Sequence, residues 1–413
     1  MPSFARQTGL PCATCHILAF GPALTPYGQQ FKLNAYVQGN GQAPLLPLSG
    51  MLVGSLTNTQ KGQDGGAAPH YASNDNLALD QASAFYGGRI ADHVGAFVQV
   101  TYSGVPRRIH WDQTDIRFAD HGHIGDMPLV YGLSLNNNPT VQDLWNSTPG
   151  WSFPYQSSSL APTPAAAPLL EGALAQNVYG LTAYTMIDRT LYLEGGAYRS
   201  PAQRVLSLFG ADPGGGSPVR GFAPYWRVTL QHLFKSIYAS VGTFGLVARL
   251  TPGGNAAAGT DHYIDLGADT TFQWQIDASS ALHGNATFLH ESQRLQASEG
   301  PSTANGAANH LETTRINLTY AWRQTLAAEL GWFAVNGSTD TALYAPAPVS
   351  GSANGSPASR GFIYQAEYIP FGKGGPYART WLNLRMALQY TQYLQFNGGV
   401  RNYDGSGRDA ADN

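Results

Sequence analysis

Apolar and polar residues alternate with period two through most of the chain after about residue 46. In "HYIDLGADTTFQWQI" Ile264, Leu266, Phe272 and Trp274 share one face, and Asp265, Asp269, Thr271 and Gln273 share the other. "RINLTYAWR" sets Ile316, Leu318, Tyr320 and Trp322 against Arg315, Asn317, Thr319 and Arg323. "LNLRMALQY" sets Leu382, Leu384, Met386 and Leu388 against Asn383, Arg385, Ala387 and Gln389. Such alternation predicts β-strands with one apolar and one polar face. Fifteen are predicted, near 50–60, 76–91, 94–103, 110–119, 127–135, 176–187, 190–199, 222–234, 236–249, 261–276, 279–291, 309–323, 326–337, 360–372 and 378–397. The three quoted segments run 9 to 15 residues, longer than the usual soluble strand of about five or six. They are close to the roughly 9–11 residues that cross a bilayer at a tilt.

The connections sort by length. Short turns at "ADH", "IDR", "FKS", "DAS", "RQT" and "GKGGP" alternate with longer loops around 61–75, 136–175, 200–221, 250–260, 292–308 and 338–359. Short turns on one side and long loops on the other are the pattern of bacterial outer-membrane barrels. The expected fold is therefore all-β, a transmembrane antiparallel β-barrel placed in the outer membrane. Single-chain bacterial barrels have even strand numbers, so fifteen predicts a sixteenth strand beyond the polar "NYDGSGRDAADN" at Asn413. "MPSFARQTG" has no charged-then-apolar region, so export through a signal peptide absent from this sequence is expected.

Composition sharpens this. Charged residues are only 12%, with 48 Gly and 22 Tyr among 413 residues, and no run of 18 apolar residues reads as a membrane helix. A net charge of −3 with both signs scattered argues against a nucleic-acid partner.

The two cysteines stand in "TGLPCATCHILAF". Cys12-x-x-Cys15-His16 is the attachment signature of a c-type haem. The two thiols form thioethers to the haem vinyl groups and His16 is the proximal iron ligand. A zinc site would need further ligands, and no second Cys pair exists. A thioredoxin-type dithiol expects a strand–helix context that the surrounding Pro and Gly do not offer. Residues 1–45 are predicted as a haem-binding plug and 46–413 as the barrel. Pro11, Pro22, Pro26, Pro44 and Pro47 leave little room for packed helices. So short a segment cannot wrap haem alone, and the barrel is expected to supply the rest of the pocket.

"PSFARQTGLPCATCHILAFGPALTPYGQQFKLNAY", with Tyr27-Gly28 and Phe31-Lys32 after the haem motif, resembles the opening of the fused outer-membrane monohaem cytochrome–porins, which include iron-oxidising outer-membrane cytochromes. The resemblance implies one covalent haem c in a barrel. It implies electron transfer between an extracellular reductant such as ferrous iron and a periplasmic electron carrier, with outer-membrane lipid around the barrel. It carries over Cys12, Cys15 and His16 as haem residues. Rival expectations are a peroxidase-like haem enzyme with an open iron site, and a diffusion porin whose haem is structural.

For the sixth iron ligand, parity makes His283 and Met186 lumen-facing candidates. His110, His232, His262 and His290 share parity with outward residues. The 136–175 loop has the place of a constriction loop, or else lies on the surface. If it folds in, Trp145, Trp151, Phe153 and Tyr155 would pack on the plug or haem. Asp120, Asp126 and Asp143 are candidate oxygen ligands for ferrous iron. Arg227, Arg315, Arg323 and Arg385 are expected in the lumen, balancing interior acids and haem propionates.

Overall fold

The computed structural model describes residues 1–41, 46–210, 216–300, 303–345, 349, 351–371 and 381–413. The expected domain boundary at 45/46, Pro44 and the "GKGGP" turn lie at or outside the edges of those residues. Fifteen strands form one sheet: β1 (Leu48–Thr57), β2 (Asn76–Ala91), β3 (Val94–Ser103), β4 (Arg108–Ile124) and β5 (Met127–Asn136) come first. There follow β6 (Tyr179–Ile187), β7 (Leu191–Arg199), β8 (Ala223–Phe234), β9 (Ile237–Leu250) and β10 (Asp261–Gln275). The last are β11 (Ser280–Arg294), β12 (Ala308–Trp322), β13 (Leu326–Gly337), β14 (Ser359–Tyr368) and β15 (Met386–Gln395). Each pairs antiparallel with its neighbours in chain order. The alternation placed these strands to within a few residues, except that β4 runs five residues past the expected 119 and β15 starts eight residues later than the expected 378.

The burial pattern is inverted relative to a soluble sheet. On β10, Asp265 and Thr271 are fully buried while Leu266 is 51% exposed and Trp274 41%. Phe234, Trp274, Trp322 and Tyr368 all face outward at the short-turn ends of β8, β10, β12 and β14. That is an aromatic girdle bordering an apolar belt, the surface a lipid-embedded barrel presents.

The sheet is rolled. Laid flat, fifteen strands at about 4.8 Å would span roughly 70 Å. Yet residues 1–41 touch strands along its whole width. Ser3 N donates to Ser49 Oγ on β1 at 3.0 Å, and Tyr36 Oη to Asp115 Oδ2 on β4 at 2.5 Å. Gln273 Nε2 on β10 donates to Leu24 O at 2.6 Å, and Asn383 Nδ2, just before β15, to Ala19 O at 2.7 Å. Among the described residues β1 and β15 are not paired and no sixteenth strand is present. The two edges run in the same direction, so they cannot join as an antiparallel pair. Leu52 (79% exposed) and Leu388 (78%) stand bare at this seam. Inside, residues 156–158 bridge it, with Ser158 Oγ 2.9 Å from Ser55 Oγ and Ser157 Oγ 3.1 Å from Gln389 Oε1.

The N-terminal segment contradicts the expectation of little helix. It holds α1 (Pro2–Thr8), α2 (Cys12–Cys15) and α3 (Pro26–Leu33). The prolines sit where helices begin: Pro2 and Pro26 in the first turn and Pro11 at the N-cap of α2. There the missing N–H costs nothing and the fixed φ is already helical.

An arginine on the belt tests the inverted sheet. Leu266→Arg should lower stability in lipid vesicles by about 2–4 kcal/mol, read by urea unfolding, whereas an unchanged midpoint would contradict an outward lipid face at β10.

Candidate cofactor site

The motif is held by the elements on either side of it. Gly9 ends α1 with φ 71°, the left-handed cap that a residue without Cβ adopts freely. Thr25 caps α3 by accepting from Gly28 N at 3.2 Å, and its hydroxyl donates to Thr14 O at 2.6 Å, tying α3 to α2. A Cβ on Gly28 would stand 2.3 Å from the Cys15 carbonyl oxygen, so only glycine lets α3 lie against the motif. Phe31 packs edge-on to Phe4 at 5.0 Å, joining α3 to α1. His16 leaves α2 in extended conformation and bridges Leu24.

Cys12, Cys15 and His16 open together into one cavity of about 1480 Å³ between the plug, β1, the segment leading into β15 and the inner loop. The cavity exceeds the roughly 300–1,000 Å³ of common small-ligand sites. The His16 Nδ1 atom is buried with no hydrogen-bond partner. Burial first, and the N-terminal amine second, pull the His16 imidazole down to about 3, so it stays neutral at physiological pH. Neutral imidazole is the metal-ligating form. Burial pushes the Cys15 thiol up to about 11, a cost that a thioether does not carry. A free-thiolate role is thus disfavoured, and the donor set fits a covalently attached haem.

The loop from 137 to 178 folds into the lumen rather than over the rim, which decides between the two readings of it. Trp145 is 1% exposed and packs with Leu33 of the plug and with Tyr184, Met186, Tyr192 and Tyr238 from the strands. Lys32 of α3 is the latch between plug and loop. Its Nζ donates to Val141 O at 2.8 Å, Asp143 O at 2.5 Å and Asn146 Oδ1 at 2.9 Å. Burial and then Arg117 draw the Lys32 ammonium down to about 7, against Asp115, Asp143 and Glu194. Burial works to raise Asp143, but Arg227 and Lys32 hold its carboxyl below the usual range. Trp151 and Tyr155 line the cavity, whereas Phe153 does not and packs against the cluster of Phe333, Ile363 and Tyr393.

The expected arginines divide. Arg227 pairs with Asp269 at 2.8 Å and Asp143 at 3.4 Å, and Arg315 with Glu171 at 2.7 Å, while Arg385 binds Glu367. Of these three only Arg385 lines the cavity. Arg323 is not in the lumen. It lies exposed in the turn after β12, with positive φ, its guanidinium 4.6 Å over Trp322; the strand ends one residue before it, so its parity no longer applies.

The three candidate iron-binding acids do not meet. Asp120 lies on β4 beside His93 at 3.6 Å, Asp126 in the turn after β4, and Asp143 inside the loop. No group of three such donors occurs among the described residues. His283 and Met186 do face inward, each 2% exposed, but neither lines the cavity that holds His16. Sequence reasoning passed over Met51, which does line it. Its parity with Ser49, Ser55 and Thr57 on β1 was the available signal.

No known protein family matches the sequence, and no curated protein matches it. Solved structures of similar sheet architecture include the outer membrane channel DcaP of Acinetobacter baumannii, 11% identical over 84% of this chain and 91% of that one, with a TM-score of 0.42. A bacterial polysaccharide outer membrane secretin is 8% identical over 86% and 93%, TM-score 0.38. In-vitro folded OmpT of Vibrio cholerae is 10% identical over 78% and 96%, TM-score 0.37. At these scores the likeness decides nothing about this chain's activity.

Two outcomes test the site. Lys32→Met leaves three buried acceptors without a donor and should weaken plug docking by about 3 kcal/mol, seen as roughly hundredfold faster hydrogen exchange in residues 1–41. In haem-free protein, the undocked His16 takes up its proton near 6.5 and the docked one only near 3. The His16 contribution to plug docking should therefore be whole above pH 6.5 and be lost as pH falls toward 3. Protease accessibility of the segment reads this, and His16→Gln should flatten the dependence.

Proposed function

We propose that this protein is an outer-membrane electron conduit, a lipid-embedded barrel whose N-terminal plug carries one haem c attached at Cys12 and Cys15 with His16 on the iron. One observation carries the reading: the three motif side chains open together into a single large cavity between the plug and the rolled sheet, which reaches the seam between β1 and β15. A haem held there supplies a one-electron ferric–ferrous couple. The chain's own residues then position and insulate it. Gly28 and Thr25 fix α3 against the motif, and Lys32 fixes α3 to the loop. Trp151 and Tyr155, stacked at 6.5 Å, form part of the cavity wall.

The plug lies at the short-turn end, where Gln324 in the turn after β12 donates to Ala13 O at 3.1 Å. In an outer-membrane barrel that end faces the periplasm. The hydrocarbon layer is about 30 Å thick, so a group tied there meets a soluble periplasmic carrier on one side. On the other it receives electrons arriving through the lumen from an extracellular reductant such as ferrous iron. Free diffusion of solutes fits less well, because residues 140–148 of the loop and Lys32 and Leu33 of the plug bury one another across the lumen.

Full-length protein matured with haem and reconstituted in vesicles should pass electrons from an external reductant to a trapped acceptor. The Cys12→Ser/Cys15→Ser double variant should insert normally, carry no covalent haem on a denaturing gel, and lose that transfer. Transfer undiminished in the double variant would overturn the reading.

A further inference from the structure

Resting on the haem reading above, we propose that Met51 of β1 is the side chain that ligates the iron on the face opposite His16. An iron held by one imidazole in an apolar cavity takes its second axial donor from whatever sulfur, nitrogen or phenolic side chain shares that cavity. Besides the motif, the described lining residues of this kind are Met1, Met51, Lys32 and the tyrosines 36, 155, 390 and 393.

Most are already engaged. Lys32 Nζ has three acceptors. Tyr36 Oη donates to Asp115, and Tyr393 Oη to Pro162 O at 2.9 Å. Tyr390 belongs to the outward face and is 56% exposed. The Met1 methyl packs on β2, where it occupies the place a Cβ on Gly87 would take. Tyr155 stacks on Trp151, and burial raises its phenol, which opposes the phenolate that iron would need.

Met51 remains, on the inner face of its strand, in register with Ser49 below and Ser55 above. Gln156 of the inner loop touches its thioether: Nε2 stands 3.9 Å from Sδ and 3.3 Å from Gln81 Oε1. The loop thus meets the sulfur from one side, and the plug presents His16 to the same cavity. His283 is a rival outside the cavity, its Nε2 buried without a hydrogen-bond partner. It pairs across the sheet with Gln273, whose amide donates to Leu24 O, the residue bridged to His16. That places it on the flank of the plug, away from the cavity. Methionine opposite histidine raises the potential of the couple relative to two histidines, which suits acceptance from a weak external reductant.

The test is spectroscopic, on full-length haem-loaded protein. The wild type should be low-spin in both oxidation states, with the sulfur-to-iron charge-transfer band in the ferric form. Met51→Leu should keep its covalent haem, lose that band, turn high-spin when ferric and shift to lower potential. Met51→His should regain a low-spin spectrum without the band. His283→Ala and Met186→Leu should match the wild type. A wild-type spectrum in Met51→Leu, loss of the band in His283→Ala or Met186→Leu, or a high-spin wild type would overturn the assignment while the haem remains attached. Absence of covalent haem from the wild type, seen on a denaturing gel, would instead overturn the reading on which it rests.

Discussion

An antiparallel sheet that turns its apolar side chains outward must find partners for every polar group on its inner face without bulk water. Rolling the sheet satisfies the backbone, since each interior strand bonds to two neighbours. It leaves the side chains Arg117, Arg227, Asp115 and Asp269 buried at the centre. Their charges are matched within the lumen, Arg117 to Asp115 at 2.8 Å and Arg227 to two carboxylates. Breaking such a buried pair leaves an uncompensated charge, which is far costlier than losing a surface ion pair. The interior is therefore rigid where these pairs stand.

That demand explains why the loop and plug meet inside. Asp143 of the loop completes the Arg227 pairings, and the backbone carbonyls around it take the Lys32 ammonium. Arg117 reaches both Lys32 O at 3.2 Å and the Gln142 carbonyl. One set of strand arginines thus fixes two irregular segments whose own backbone groups would otherwise lack partners. The cavity is what this packing leaves open, bounded by the plug below and Trp151 and Tyr155 beside it. It extends to the seam between β1 and β15, where the two sheet edges carry no ladder bonds to each other.

Alternation along the chain determined the strands, their inner and outer faces and the ordering of short and long connections, because period two is a local property of each segment. The spacing of Cys12, Cys15 and His16 likewise raised the expectation of haem attachment, on which the proposed function rests, without any fold. Local rules failed where a segment changes state: Arg323 left its strand for a turn, and prolines read as helix breakers began helices instead. Only the tertiary structure decided which inward side chains share a space. His283, Met186 and Met51 all have inward parity, but they stand on β11, β6 and β1, five strands apart in sheet order, and parity carries no depth or angular position. Rolling the sheet brings β1 and the approach to β15 to one cavity with His16, packs Met186 into the cluster around Trp145, and leaves His283 buried outside that cavity.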